Sequence, residues 1–143
     1  ARALRRRRMG MGVGRATGTV NGATVGALAV VNAVGDVVRA DATVLAGSSA
    51  PLDGEMFPNP ESALGATTLV VVATDARLNK TECHLLAQSG HLGLAHSIRP
   101  SHTRHDGDLV VALATGQVEV AFDRLRVVVT DVVAAAIRNS VEN

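Results

Sequence analysis

Aromatic residues and cysteine are almost absent from this sequence. The 143 residues include only two Phe, Phe57 and Phe122, and neither Trp nor Tyr. Proteins that bind single-stranded nucleic acid stack bases on aromatic rings, so this composition disfavours that class. The single cysteine, Cys83, excludes an intramolecular disulfide and the usual cysteine-based zinc motifs. We therefore expect a cytoplasmic protein.

Long hydrophobic runs are also missing. No segment approaches the roughly 18 uninterrupted apolar residues that a membrane-spanning helix needs, and the apolar run at 23–34 contains Gly26 and Asn32. No stretch has the form of a signal peptide, because the N-terminal Arg run leads into glycines rather than into an apolar segment. Because the first residue is Ala1 and not Met, we expect the chain to be truncated.

The sequence does contain enough apolar residues for one domain. They make up 47% of the chain, and charged residues make up 19%, which is typical of a globular protein. A domain of this size buries roughly 70% of the surface of its unfolded chain. The apolar residues are mainly Val, Ala and Leu, which suit closely packed strands and helices.

Charge is distributed unevenly along the chain. Residues 1–15 carry six Arg and no acidic residue, whereas the remainder has 8 basic and 13 acidic side chains, a net of −5. We interpret residues 1–15 as a basic leader that is disordered or a truncation remnant. Arg5 to Arg8 have the charge to bind nucleic acid or an acidic membrane surface, but a short terminal Arg run is more often solvated. We expect neither nucleic acid nor membrane as a partner.

The first half of the chain predicts strands followed by a loop. Segments 15–20 and 24–31 have the composition of strands, and the Asn21-Gly22 pair between them predicts a hairpin. Residues 37–45 continue apolar without a clear period. Residues 46–66 contain three of the four Pro and predict a long surface loop.

The second half predicts alternating strands and helices. The β-branched run at 67–74 predicts a buried central strand. Asn79 predicts the N-cap of a helix that includes Cys83, Leu86, Leu94 and Ile98 and ends before Pro100. Segments 108–115 and 122–141 predict a further strand and a closing helix. The fold class is therefore α/β, in a single domain that occupies residues 16–143.

Thr67 is a candidate nucleophile. It begins a predicted strand directly after the long loop, where cleavage of the preceding peptide bond would expose an α-amine beside its own hydroxyl. Such an amine can act as the base that activates the hydroxyl. The alternative is that Thr67 and Thr68 are ordinary strand-forming residues.

Asp106-Gly107-Asp108 is a second candidate, at the start of the next strand. Two carboxylates separated by one residue point to the same side of an extended chain, where they act as a coupled pair or orient a neighbouring amine and hydroxyl. An Asp-Gly turn is the ordinary alternative. A calcium site is a third, but it needs six or more oxygens.

Asn32 stands out because strands disfavour asparagine. Either it ends its strand, or its amide is kept for a purpose such as the stabilisation of an oxyanion. The alternating glycines of 10–14 lack the strand-turn-helix context of a dinucleotide site.

All five histidines, His84, His91, His96, His102 and His105, fall in the predicted helix and the loop after it. His84 and His91 are seven residues apart and share a helix face, and His102 and His105 flank the loop. A histidine metal site is conceivable, but nothing has the HExxH form. We expect no metal and no cofactor.

Three segments follow one another along the chain: TTLVVVATDARLNK from Thr67, a predicted helix ending in GLAHSIRPSHT, and DGDLVVALATG from Asp106. In order and spacing they resemble the self-cleaving aminopeptidase/esterase family, which contains L-aminopeptidase D-amidase/esterases, β-peptidyl aminopeptidases and nylon-oligomer hydrolases. Upstream, GVGRATGTVNGATVGALAVVNAVG is similar to the part of the family that precedes the cleavage site. The resemblance covers nearly all of residues 12–138.

The resemblance implies an N-terminal-nucleophile-like hydrolase with an αββα sandwich, of which this chain is an incomplete portion. It implies self-cleavage between Ala66 and Thr67 into an α-subunit-like part, 16–66, and a β-subunit-like part, 67–143. The processed subunits would stay together and form an oligomer. Substrates would be short peptides, amino-acid amides or esters.

The resemblance also implies roles for individual residues. Thr67 would be the nucleophile and its new α-amine the general base. Asn32 would stabilise the oxyanion, and Asp106 and Asp108 would form the acidic pair that orients the nucleophile.

This sequence departs from the family in several respects. The family usually has Asn or Gly where this chain has Ala66, its precursors are more than twice as long, and they use a Tyr that this chain lacks. An alternative is therefore a truncated, non-catalytic homologue that acts only as a structural or assembly domain. A third hypothesis, binding of nucleic acid or membrane through the Arg leader, predicts a steep salt dependence.

Overall fold

The computed structural model describes residues 11–47 and 66–142. Within these ranges the elements are, in chain order, β1 (Met11–Val20), β2 (Ala23–Asn32), β3 (Asp36–Val38), β4 (Val44–Ala46), β5 (Thr67–Ala76), α1 (Lys80–Ser97), β6 (Ile98–Arg99), β7 (Leu109–Val118) and α2 (Phe122–Glu142). The strands and helices expected from the sequence are thus present, with shifted boundaries. Most of the predicted surface loop, residues 48–65, lies outside the described residues.

A four-stranded sheet with the order β1-β2-β5-β7 forms the centre of the fold. The β1-β2 and β2-β5 pairs are antiparallel, whereas β5 and β7 are parallel. Helix α1 lies in the connection between β5 and β7, since parallel neighbours need a crossover. The apolar segment 37–45 contributes to a second, small sheet with the order β4-β3-β6.

The predicted hairpin is confirmed. Asn21 and Gly22 connect β1 to β2, with φ values of 49° and 84°, as a two-residue hairpin turn with left-handed residues requires. Strand β1 begins at Met11 rather than Arg15, so residues 11–15, which we assigned to the leader, pair with β2. The rest of the leader, including Arg5 to Arg8, lies outside the described residues.

The alternating glycines of β1 have a packing role. A Cβ at Gly12 would collide with the carbonyl oxygen of Ser140, and one at Gly14 with that of Ala136. Both contacts are with α2, so the missing side chains let this helix lie directly on β1. The close approach explains why a glycine-rich segment is a strand, although glycine alone disfavours one.

Helix α1 begins where the sequence predicts. The Asn79 side chain accepts a hydrogen bond from the Glu82 backbone N–H (2.9 Å), and the Glu82 carboxylate accepts one from the Asn79 N–H (2.8 Å), which is a reciprocal capping box. The helix ends at Ser97. Ile98, which we placed in the helix, is instead the first residue of β6 and lies buried in the core.

The two helices cover one face of the sheet. Side chains that alternate along β2 and β5 point to this face and form the core with leucines and valines of the helices. Within residues 11–47 and 66–142, the other face stays exposed although it is apolar. Its most exposed large side chains on the four strands are Met11, Val13, Leu28, Val30, Leu69, Val71, Leu109, Val111 and Leu113.

The layers seen here are therefore helices on one face of a sheet whose other face is uncovered among the described residues. Apolar patches of this extent mark surfaces that pack against something else. In the described part of the chain, neither helix is both long and apolar enough to span a bilayer.

Candidate active site

One edge of the main sheet brings the candidate residues together. Strand β2 ends at Asn32, β5 starts at Thr67, and β7 starts directly after Asp108. Because β2 is antiparallel to β5 while β7 is parallel to it, the end of β2 and the starts of β5 and β7 share one edge. Residues far apart in the sequence thus become neighbours.

Thr67 lies at this edge with a partly buried side chain. Its Oγ1 donates a hydrogen bond to the carbonyl oxygen of Ala66 at 2.7 Å. Because side chains alternate along a strand, Thr67 shares the open apolar face of the sheet with Leu69 and Val71. The hydroxyl is therefore on the face that the two helices leave uncovered.

Asn32 is the register partner of Thr67 on the neighbouring strand. It also falls on the open face, in alternation with the buried Val31. Directly opposed residues of antiparallel strands have Cβ atoms about 5 Å apart, so the Asn32 amide starts within side-chain reach of the Thr67 hydroxyl. Asn32 is the last residue of β2, which satisfies the strand-end alternative and leaves its amide at the candidate site.

Gly107 also contacts this site. The sequence assigns it no role other than to separate Asp106 from Asp108. Its N–H donates to the carbonyl oxygen of Ala66 at 3.0 Å. The Ala66 oxygen thus accepts hydrogen bonds from both Gly107 and the Thr67 hydroxyl. The only feature of the sequence that points to the contact between Gly107 and Ala66 is the position of a glycine between two Asp residues.

Asp108 holds the backbone just after Thr67. Its Oδ1 accepts a hydrogen bond from the Thr68 N–H at 2.9 Å. Its Oδ2 accepts one from the His102 N–H at 3.2 Å and lies 2.8 Å from His102 Nδ1. The side chain is only 4% exposed. The sequence predicts that this strand begins at Asp108, but β7 begins at Leu109. The Asp108 carboxylate links the start of β5 to the loop that contains His102.

Asp106 has different partners. Its Oδ2 accepts hydrogen bonds from the N–H and the hydroxyl of Thr103, at 2.9 and 2.7 Å, and its Oδ1 accepts one from the Val34 N–H at 3.3 Å. Asp106 thereby ties the loop before β7 to the segment that follows β2. The two carboxylates of the Asp-Gly-Asp motif therefore hold separate segments.

Two of the histidines extend the Asp108 network. His91 Nδ1 on α1 lies 3.3 Å from His102 Nε2. Burial lowers the pKa of His91 below its ordinary 6.5, the proximity of His102 lowers it further, and the charge of Asp108 opposes both effects. His84 instead contacts Gln88 at 3.2 Å. Across residues 11–47 and 66–142, no three His, Cys, Asp or Glu side chains are grouped as a metal site.

Comparison with known proteins assigns this chain to a family. Residues 7–143 match peptidase family S58, and the chain belongs to that family. An uncharacterized aminopeptidase of Mycobacterium leprae is 46% identical over 122 residues, which cover 76% of this chain and 33% of that protein. The chain thus spans about a third of the length of this curated relative.

Solved structures agree with the predicted fold class. A Burkholderia β-aminopeptidase superposes with a TM-score of 0.66 at 26% identity, over 90% of this chain and 41% of that one. The L-aminopeptidase D-Ala-esterase/amidase of Ochrobactrum anthropi, described as a variant of the Ntn hydrolase fold, gives a TM-score of 0.65 at 23% identity, over 92% and 40%. The chain therefore has part of an N-terminal-nucleophile hydrolase fold.

Proposed function

We propose that this chain is the catalytic part of a self-processing amidohydrolase of the aminopeptidase type, with Thr67 as its N-terminal nucleophile. The observation that carries the proposal is the environment of the Ala66–Thr67 peptide bond. The carbonyl oxygen of Ala66 accepts hydrogen bonds from both the Thr67 hydroxyl and the Gly107 N–H. The attacking group and an oxyanion donor are thus in contact with the same carbonyl.

The proposed cleavage is an intramolecular acyl transfer. Thr67 Oγ1 attacks the carbonyl carbon of Ala66, and the Gly107 N–H stabilises the negative charge that develops on its oxygen. The carbon–nitrogen bond then breaks, and the hydroxyl proton ends on the departing nitrogen, which becomes the α-amine of Thr67. Water hydrolyses the ester that remains and leaves a carboxylate on Ala66.

Substrate hydrolysis then uses the same hydroxyl. The new α-amine takes the proton of Oγ1 as the oxygen attacks an amide or ester carbonyl, which is the activation that a weak alcohol nucleophile needs. The proton then passes to the leaving amine or alcohol as its bond to the carbonyl carbon breaks, and water hydrolyses the ester that remains on Thr67. Asn32, opposite Thr67 in register, is the proposed side-chain donor to the oxyanion. Asp108 holds the backbone of Thr68, and Asp106 holds the loop that carries Gly107.

Both cleavage products are expected to remain associated. The residues before the cut supply β1 and β2, and those after it supply β5, β7 and both helices. Strand β2 is hydrogen-bonded to β5 from Val25 through Asn32, and α2 packs on β1. The cut therefore leaves the sheet and the core unbroken. We infer in addition that the processed subunits form an oligomer.

The substrates we propose are short peptides, amino-acid amides and esters. This proposal rests on the family and on the names of the relatives, which include aminopeptidases and an esterase/amidase. The exposed apolar face of the sheet favours a second candidate function, that of a non-catalytic assembly domain, in which Thr67 is an ordinary strand residue.

The decisive experiment is the intact mass of the purified chain during incubation near neutral pH. We expect the 14.7 kDa species to split between Ala66 and Thr67, in the wild type and in Thr67→Ser but not in Thr67→Ala. Thr68→Val is the matched control, because Thr68 is fully buried and faces the helices. An uncut wild type would favour the assembly domain, and cleavage in Thr67→Ala would exclude Thr67 as the nucleophile.

A further inference from the structure

We propose that His102 is a positioning residue for Asp108, and that His91 in turn orients the ring of His102. A hydrogen-bonded chain then runs from α1 through two imidazoles and a carboxylate to the backbone N–H of Thr68, the residue after the nucleophile. This inference deepens the proposed function and rests on it for the consequence in catalysis. The hydrogen-bonded chain itself does not depend on catalysis, and NMR spectra of the histidine rings test it directly.

The Asp108 carboxylate is the centre of this chain. It is almost fully buried, so each of its oxygens needs hydrogen-bond donors. Oδ1 receives the Thr68 N–H, and Oδ2 receives both the backbone N–H and the ring Nδ1 of His102. His102 therefore supplies two of the three donors that fix the carboxylate.

The backbone of His102 is adapted to this contact. Its φ of 54° lies in the left-handed region, which side chains other than Asn, Asp and His rarely adopt. In this conformation, the backbone N–H and the ring of one residue both meet the same carboxylate oxygen. Uncommon backbone geometry of this kind often accompanies a functional constraint.

The positions of the ring protons follow from the network. A carboxylate oxygen only accepts, so His102 Nδ1 carries a proton. In the neutral ring Nε2 is then an acceptor, and His91 Nδ1, at 3.3 Å, donates to it. A proton added to His102 reverses this hydrogen bond, but protons on both rings place two N–H groups against each other and break it.

The charged groups around the two rings are few among the described residues. His91 on α1 faces His102 and Asp108. His102 faces His91 and Asp108, while Asp106 in the same loop is bound by Thr103 and Val34. Protonation of His91 is therefore opposed by burial and by the neighbouring His102, whereas the charge of Asp108 favours it.

The matched variants are His102→Asn and His102→Asp. Asparagine tolerates the left-handed backbone and places an N–H donor near the position of Nδ1, whereas aspartate has the same size but places a carboxylate against Asp108. We expect His102→Asn to cleave itself within about threefold of the wild-type rate. We expect His102→Asp to be slower by roughly tenfold or more, since a hydrogen bond to a charged group is lost.

The second measurement does not depend on activity. In ¹⁵N-resolved NMR spectra, we expect the His102 ring to be protonated at Nδ1 and the Thr68 amide proton to lie downfield, as a hydrogen bond to a carboxylate requires. Lowering the pH from about 7 to 5 should shift the Thr68 amide in the wild type. In His91→Leu the shift of the Thr68 amide with pH should be smaller. The variant has no hydrogen bond between the two rings, so protonation cannot break one.

The outcomes separate the two proposals. A wild-type chain that stays uncut but shows the expected NMR signals would refute self-processing and support the positioning role of His102. A His102 ring protonated only at Nε2 would overturn that role. So would a Thr68 amide shift that is the same in His102→Asp as in the wild type, whatever the cleavage rate.

Discussion

Gly107 lies directly against the hydroxyl of Thr67: a Cβ at position 107 would stand 2.9 Å from Thr67 Oγ1. Any residue other than glycine at position 107 would therefore displace the Thr67 hydroxyl oxygen. The same residue donates its N–H to the carbonyl that this oxygen would attack. The glycine of the Asp-Gly-Asp motif thus shapes the candidate site through its backbone.

We predict that Gly107→Ala slows self-cleavage by roughly tenfold or more, because a near-attack geometry is lost by small displacements. The free energy of unfolding should change by less than about 1 kcal/mol, since φ of Gly107 lies outside the left-handed region. Intact mass against time and urea unfolding measure the two effects. Gly26→Ala is the control, because its Cβ would meet its nearest neighbour at an ordinary 3.7 Å. Equal cleavage rates in the two variants would contradict the prediction.

The two carboxylates should differ in their effects. Asp108→Asn places an amide N–H₂ against the donors of either Thr68 or His102, and we predict a loss of about 1–3 kcal/mol in the free energy of unfolding together with slow cleavage. Asp106→Asn can keep its two hydrogen bonds to Thr103 and loses only the long contact with Val34, so we predict a smaller loss of stability. Urea unfolding of both variants tests this order, and the reverse order would disprove it.

The lowered pKa of His91 makes stability depend on pH. The unfolded chain binds a proton at His91 with the ordinary pKa of 6.5, whereas the folded chain binds it only at lower pH. Stability should therefore fall as the pH decreases through 6.5 towards the lower folded pKa. His91→Gln should flatten this part of the unfolding-stability curve, and His84→Gln on the same helix should not. Parallel curves for His91→Gln and the wild type would contradict the assignment.

The open face of the sheet should drive association. Leu69 and Leu113 are 45% and 53% exposed on it, and we predict that Leu69→Thr combined with Leu113→Thr lowers self-association and the binding of an apolar dye. Val127→Thr, which changes an even more exposed residue on α2, is the control. Sedimentation velocity and dye fluorescence are the measurements. If the double variant and the control behave alike, the face does not act as an association surface.

Much of the fold was predictable because its signals are local. Asn21-Gly22 specifies a turn whatever surrounds it, and Asn79 with Glu82 specifies a helix start within four residues. The boundaries that we misplaced depend on distant contacts. Strand β1 extends back to Met11 because α2 packs over its glycines, and Ile98 leaves the helix because it pairs with Val37.

The candidate site was only partly predictable. Thr67, Asp106 and Asp108 stood out by their spacing and by the family resemblance, and Asn32 by its place in an apolar strand. The Gly107 N–H and the His102–His91 pair did not, since the sequence presents His91 and His102 only as candidate metal ligands. A sequence does not show which backbone N–H will act as a donor, or which nitrogen of a histidine ring carries the proton.

Neighbours along the chain specify the order of strands and helices, the hairpin and the capped helix, and the amino-acid sequence alone carries the resemblance to a hydrolase family. Which of the site residues come into contact depends on the pairing of the strands. Parallel pairing of β5 with β7 brings Asp108 to the Thr68 N–H, and antiparallel pairing sets Asn32 opposite Thr67. Strand order and register arise from the burial of one sheet face beneath two helices, which is a property of the whole chain.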